Sequence, residues 1–270
     1  MAMKVRGYVA EDSRVAVLLV RLSRKCTVVC RLSTENGDTK VQIGSRFFGR
    51  FFPDRCDLSP DGTWFLYFVM GSGPTTDHHS CWTAVSRPPF LKAEVLLPQN
   101  DTWGGGGRFV GNTRAVVQPG LTPDFDVTKI HKSKNLSIKI DQCLDMEGGW
   151  ASGHGWDRVT AQNPRRIRRR IEAPAWEKSR QRFCINRYLD TDNPKAGAFD
   201  RHAYTINDLR YKKPIALELA QPICWADFLS DESLIIATKS QVLIYANTLD
   251  VDQPPIQTFA FDLTLLHPVS

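Results

Sequence analysis

The most concentrated chemistry in this sequence is a run of basic side chains between residues 163 and 182. The run reads NPRRIRRRIEAPAWEKSRQR, and its eight basic residues face only two acidic ones, for a net charge of +6. The whole chain also carries +6, so the rest of the sequence sums to neutral. Guanidinium groups bind phosphates and carboxylates through paired hydrogen bonds. The candidate partner- or phosphate-binding residues are Arg165, Arg166, Arg168, Arg169, Arg170, Trp176, Lys178, Arg180 and Arg182.

Two kinds of partner fit this basic segment. A local block of positive charge attracts an acidic protein surface and raises the rate of association. The same block binds nucleic-acid phosphates with a steep salt dependence, although neither a helix-turn-helix nor an aromatic RNA-binding motif accompanies it. A run that stays solvated and binds nothing is the third interpretation. We expect an acidic protein as the partner, with nucleic acid as the alternative, and a short helix between Pro164 and Pro174.

Motifs for catalysis and metal binding are weak. His78 and His79 lie in a Gly/Pro/Thr-rich loop without the His-x-x-x-His spacing of a metal site. The stretch GGWASGHGWDR places His154 and Trp156 among small residues, which either line a pocket or pack a loop. The glycine-rich WGGGGRFVGN matches neither a dinucleotide fingerprint nor a P-loop. The sequence therefore predicts no catalytic residue, no metal, no cofactor and no enzymatic activity.

The elements that must hold these residues are short strands separated by turns. Hydrophobic residues make up 42% of the chain and charged residues 24%, while 16 Pro and 18 Gly indicate many turns. The seven cysteines are scattered without a Cys-x-x-Cys pair, which favours reduced thiols. The apolar run Val15–Val20 is too short for a signal sequence or a membrane span. We therefore expect a cytoplasmic protein without a membrane partner.

A repeat organises the strands. The stretch Asp57–Leu66, DLSPDGTWFL, aligns without a gap with Asp227–Ile236, DFLSDESLII, 170 residues later. Both have an apolar residue after an Asp, then a polar turn, then an apolar strand. Weaker copies begin at residues 8 and 109. The anchor residues are Tyr8, Leu58, Phe109 and Phe228, with separations of 50, 51 and 119 residues. The last separation predicts one further copy between Asp145 and Tyr204.

A period of about 50 residues with several short strands per unit is typical of four-stranded propeller blades. With the turn Ser59-Pro60-Asp61-Gly62 before an apolar strand, the sequence resembles the WD-repeat and related β-propeller families. The resemblance implies an all-β fold: a degenerate β-propeller of about five blades, a single domain over residues 1–270. The basic insertion near 163–182 then lies in an irregular blade over residues 145–204. A β-sandwich or a mixed β domain is the alternative fold.

Propellers that lack catalytic residues act as rigid interaction platforms. The resemblance therefore predicts a non-enzymatic adaptor or accessory subunit of a larger intracellular complex. Some five-bladed propellers are glycosidases, in which carboxylates converge on the central funnel, and this is the enzymatic alternative. Asp57 and Asp227 occupy matching repeat positions, which favours a role in the turns over catalysis. The candidate carboxylates are Asp57, Asp124, Asp126, Asp157 and Asp227.

The C-terminal run IQTFAFDLTLL, residues 256–266, has the alternation of a strand with one buried face. The predicted buried side chains are Phe259, Phe261, Leu263 and Leu265. A ring of blades must hide its open strand edges. We expect this run to pair with the N-terminal segment MKVRGYV in one blade.

Overall fold

The chain folds into β-meanders that follow one another along the sequence. The computed structural model describes residues 3–71, 80–99, 101–120, 134–141, 154–158, 176–180, 183–189, 202–209, 213–215, 217, 219–246 and 255–267. Within these ranges the structure is all-β, with two short 3-10 helices, Pro53–Arg55 and Leu263–Leu266. The predicted all-β class is confirmed.

The first sheet contains two consecutive meanders. The β4 strand pairs with β3 along most of its length and then with β6 at Gly49–Phe51, which joins the two meanders edge to edge. The β5 strand pairs only with β6, and all these pairs are antiparallel. The strands are β1 (Lys4–Val9), β2 (Val15–Arg21), β3 (Cys26–Glu35), β4 (Asp38–Phe51), β5 (Asp57–Leu58), β6 (Phe65–Gly71), β7 (Cys81–Ser86) and β8 (Ala93–Gln99).

Three smaller sheets follow. The first has the order β11-β10-β9 and includes one parallel pair, β10 with β11. The second runs β12-β13-β14-β15-β16 and occupies most of the interval in which the sequence predicts a further repeat. The third is the meander β17-β18-β19-β20. The strands are β9 (Gly107–Gly111), β10 (Arg114–Val117), β11 (Ser137–Ile140), β12 (Asp157–Arg158), β13 (Trp176–Arg180), β14 (Phe183–Leu189), β15 (His202–Asp208), β16 (Lys213–Pro214), β17 (Trp225–Phe228), β18 (Leu234–Ala237), β19 (Gln241–Tyr245) and β20 (Gln257–Asp262).

The turns that define the sequence repeat lie beside one another in space. The Ser13 hydroxyl donates to the backbone oxygen of Asp61 at 2.9 Å. The backbone N–H of Asp61 donates to Oδ1 of Asn112 at 3.1 Å. Arg14, the neighbour of Ser13 in the first turn, forms a 2.9 Å ion pair with Asp231 of the last turn. All four turns identified from the sequence are therefore linked through these polar contacts.

Most sheets are buried between neighbouring sheets. In β2, Val17 and Leu19 pack with β6 side chains, whereas the alternate residues Leu18 and Val20 pack with the β17–β20 sheet and with β14. The other face of β6 contributes Leu66 to a third cluster, shared with β8 and β10. Because both faces of β2 are covered, its sequence is a continuous apolar run and not an alternating one.

In the part of the chain that the structure describes, the first strand, β1, and the last strand, β20, do not pair with each other. Phe259, Phe261 and Leu263 are half-buried or buried as predicted, and β20 pairs with β19. However, Leu265 is 68% exposed because the chain turns into a 3-10 helix at Leu263. The expected N-terminal partner, β1, pairs with β2. It packs instead against β17, where the Trp225 ring occupies the space that a side chain at Gly7 would need.

In the part of the chain that the structure describes, no helix is long and apolar enough to cross a membrane.

Candidate functional site

A charged cavity lies where the ends of four strands meet. It has a volume of about 450 Å³ and is lined by residues 8–11 at the end of β1, Asp57 of β5, residues of β13, and residues 227–230 and 232 at the end of β17. Residues 154–155, which precede β12, close one side. The volume is within the range of small-molecule sites, about 300–1,000 Å³.

Asp57 joins three parts of the chain at this cavity. Its carboxylate is 1% exposed. Oδ1 accepts a hydrogen bond from the backbone N–H of Leu58 at 2.9 Å, and Oδ2 accepts one from the backbone N–H of Phe109 at 2.7 Å. His154 Nε2 lies 2.8 Å from Oδ1. Both oxygens are therefore occupied by donors that tie β5 to β9 and to the segment before β12.

His154 bridges two carboxylates. Its Nε2 faces Asp57, and its Nδ1 lies 3.3 Å from Oε1 of Glu11. Burial opposes protonation, but the charge of Asp57 and the hydrogen bonds to Asp57 and Glu11 outweigh it and raise the pKa of His154 to about 10. The hydrogen bond from His154 in turn lowers the pKa of Glu11, against the opposing effect of burial. At neutral pH the imidazole is a cation between two anions.

Asp227 has the corresponding position in the last sheet. Its Oδ1 accepts a hydrogen bond from the backbone N–H of Phe228 at 2.8 Å, as Asp57 does from Leu58. The cation here is Lys178 of β13, whose Nζ donates to the same oxygen at 2.7 Å. The two side chains are 9% and 8% exposed, so this is a buried ion pair. It connects β13 to β17 across the cavity wall.

A second polar network lies next to the cavity and ties β1 to β15. The buried Arg6 donates to the Tyr204 hydroxyl at 3.0 Å and contacts Asp54 at 3.4 Å. Arg187 of β14 lies 2.9 Å from Nε2 of His202. Its guanidinium stacks over the Trp176 ring at 4.6 Å. These contacts fix the sheet that carries Lys178.

The structure describes three of the residues predicted to bind a partner. Trp176 is half-buried under Arg187. Lys178 lies in the ion pair with Asp227 and does not present its ammonium on the outer surface. Arg180 is exposed at the cavity. The remaining predicted residues, Arg165, Arg166, Arg168, Arg169, Arg170 and Arg182, lie outside the described residues, as does the expected helix between Pro164 and Pro174.

The carboxylates considered for glycoside hydrolysis come together only in part. Asp57 and Asp227 line the same cavity. Asp157 is exposed on β12, and Asp124 and Asp126 lie outside the described ranges. Protein donors bind the carboxylates of Asp57 and Asp227, which is the bonding expected of residues that support turns.

His154 is the residue at this site that sequence reasoning underestimated. From the small residues around His154, the sequence predicted either a pocket or a packed loop, and the structure contains both. His154 lines the cavity, whereas Trp156 is buried in the core at 2% exposure. The residues next to His154 in the sequence do not reveal that Glu11 and Asp57, more than 90 residues away, are its partners. Among the described residues, no group of three His, Cys, Asp or Glu side chains is arranged to hold a metal ion.

No protein-family model matches this chain, and no curated protein matches it.

Proposed function

We propose that the protein is a non-enzymatic interaction platform, an adaptor or accessory subunit that binds an acidic protein surface through its basic segment. In this proposal the successive meanders are blades of a degenerate β-propeller of about five units. The stacking of consecutive sheets and the row of repeat turns support that architecture.

The observation that carries the proposal is how the basic segment is anchored. Residues 159–175 contain five arginines and one glutamate. Their two ends are joined by the antiparallel β12–β13 ladder, in which Arg158 lies opposite Trp176 and Asp157 opposite Glu177. The adjoining β14 is buried in the core. The chain therefore enters and leaves these residues from paired strands, and a rigid scaffold lowers the entropy that a platform loses on binding.

The polar side chains of the cavity support a structural role. Asp57, Asp227, His154 and Lys178 are bonded to one another or to backbone groups of neighbouring sheets. Such bonds hold the strands in register around the cavity. A platform requires this rigidity, because loops recognise a partner well only when the scaffold keeps them in place.

Affinity capture tests the proposal. The tagged protein is incubated with nuclease-treated native lysate, and the retained proteins are compared with those of a variant in which Arg165, Arg166, Arg168, Arg169 and Arg170 are replaced by Ser. A control variant with the same change in charge replaces five exposed basic residues elsewhere: Lys25, Lys40, Lys92, Arg114 and Lys139.

The proposal requires an acidic protein that the wild type and the control retain and the five-Arg variant loses. Capture that occurs only in a lysate without nuclease treatment would indicate nucleic acid. Equal capture by the five-Arg variant would refute a role of the basic segment.

A further inference from the structure

Two charged side chains at the cavity are left over after its ion pairs are formed. His154 is paired with Asp57 and Glu11, and Lys178 with Asp227. Among the described residues, Arg180 donates only to the backbone oxygen of its neighbour Ser179. Glu232 forms no side-chain hydrogen bond or ion pair there, and its Oε2 is buried without a partner. One cation and one anion that form no ion pair among the described residues therefore line the same cavity, with the charge of Arg180 near enough to Glu11 to help lower the pKa of that carboxyl.

The backbone at Glu232 is a second, independent sign that this carboxylate has a role. Glu232 has a φ of 64°, in the left-handed region, where a side chain costs energy and glycine does not. At the matching position of the earlier repeat stands Gly62, with a φ of 73°. The fold accepts glycine in this turn, yet the later repeat carries a glutamate. Strain of this kind at a cavity points to a functional side chain.

Arg180 of β13 lines the same cavity. Its Nη2 would be 3.2 Å from a Cβ placed on Gly155, so the guanidinium lies directly over that backbone. A guanidinium in this position offers two parallel donors to a carboxylate. The apolar residues Val9 and Leu229 also line the cavity.

We propose that the cavity binds a small zwitterion of the amino-acid class. The carboxylate of Glu232 pairs with the cationic nitrogen of the ligand, and the guanidinium of Arg180 pairs with its carboxylate. The volume of about 450 Å³ accommodates a free amino acid. This binding is tested separately from the platform function, because the five-Arg variant of that test leaves the cavity residues Arg180 and Glu232 unchanged.

Isothermal titration with free phenylalanine, glutamine and arginine tests the proposal. Each is compared with its N-acetyl derivative, which lacks the cation, and its amide, which lacks the carboxylate. At least one free amino acid should bind, and both of its derivatives should bind about 10- to 100-fold more weakly, because each loses one charge-assisted contact. If none of the three free amino acids binds, or if one derivative binds as tightly as its parent, the proposal is wrong.

Variants locate the site. Glu232→Gln and Arg180→Gln should each weaken binding by a similar factor, whereas the exposed controls Glu94→Gln and Arg114→Gln should leave it unchanged. Glu232→Gly separates binding from folding, since it should raise the melting temperature while binding is lost. Undiminished binding by both Glu232→Gln and Arg180→Gln would overturn the assignment.

Discussion

The turns after Asp57 and after Asp227 occupy matching positions of the repeat but are completed differently. In both, the aspartate accepts the next backbone N–H and a cation from another sheet. Asp57 uses His154 and also accepts the backbone N–H of Phe109, whereas Asp227 uses Lys178. The local turn is therefore a property of the repeat, while the bonds between sheets differ from one copy to the next.

The second half of each turn likewise combines the same local hydrogen bonds with one difference between the copies. Asp61 accepts from the N–H and hydroxyl of Thr63, and Asp231 accepts from the same groups of Ser233. The residue between the aspartate and the Thr or Ser is Gly62 in the first copy and Glu232 in the second. Of these two residues, Glu232 lines the cavity and Gly62 does not. Two turns with the same hydrogen bonds can thus differ in the side chain that they place at their central position.

Removing the charge of Asp57 should produce the largest effect on stability. Asp57→Asn places an amide against a backbone donor or against the imidazolium, and leaves the cation of His154 with only the half-exposed Glu11. We expect a loss of about 3–5 kcal/mol in the free energy of unfolding, measured by urea denaturation. The exposed control Asp157→Asn should change it by less than about 0.5 kcal/mol. A smaller loss than for Asp227→Asn would reverse the ranking of the two aspartates.

The Lys178–Asp227 pair should show a smaller effect and strong coupling. Asp227→Asn keeps the acceptor for Phe228 but leaves the ammonium of Lys178 without its counter-ion, at a cost of about 2–3 kcal/mol. Adding Lys178→Met removes the unpaired cation, so the double variant should lose less than the sum of the single variants by at least about 1 kcal/mol. Urea denaturation of all four proteins measures this coupling. Strict additivity would show that the ion pair contributes nothing.

The pH dependence of stability should reveal the contribution of His154 between Asp57 and Glu11. The pKa of His154 is about 10 in the folded protein and lies near 6.5 when unfolded. Its contribution is complete below pH 6.5 and is lost as the pH rises to about 10, by about 1 kcal/mol per pH unit. His154→Gln should flatten this part of the curve. If wild type and variant decline in parallel, the imidazole is not protonated in the folded protein.

The smallest expected effects come from exchanging the turn residues. Glu232→Gly should raise the free energy of unfolding by about 1 kcal/mol, because it removes a side chain from a left-handed position. Gly62→Ala should lower it, because φ is 73° and the new Cβ would lie 2.7 Å from Cβ of Val15. Thermal melts of both variants measure the difference. A destabilised Glu232→Gly protein would mean that the carboxylate supports the fold and not a ligand.

The sequence alone determined the elements and their repetition. Alternation and turn residues such as Asp61 and Gly62 act over a few positions, so the strands β6 and β18 and the four turns could be read from local patterns. The β20 strand was predicted on the same basis. The predicted partner of β20, the N-terminal segment, was wrong, because pairing depends on where distant segments lie.

Only the tertiary structure decided which charges meet. Lys178 belongs to the basic run by its position in the sequence, yet it lies in a buried pair because β13 packs beside β17. His154 acquires its raised pKa from Glu11 and Asp57, which other strands bring to it. The energies of charged groups depend on distance and burial, and neither quantity is encoded in the neighbouring residues.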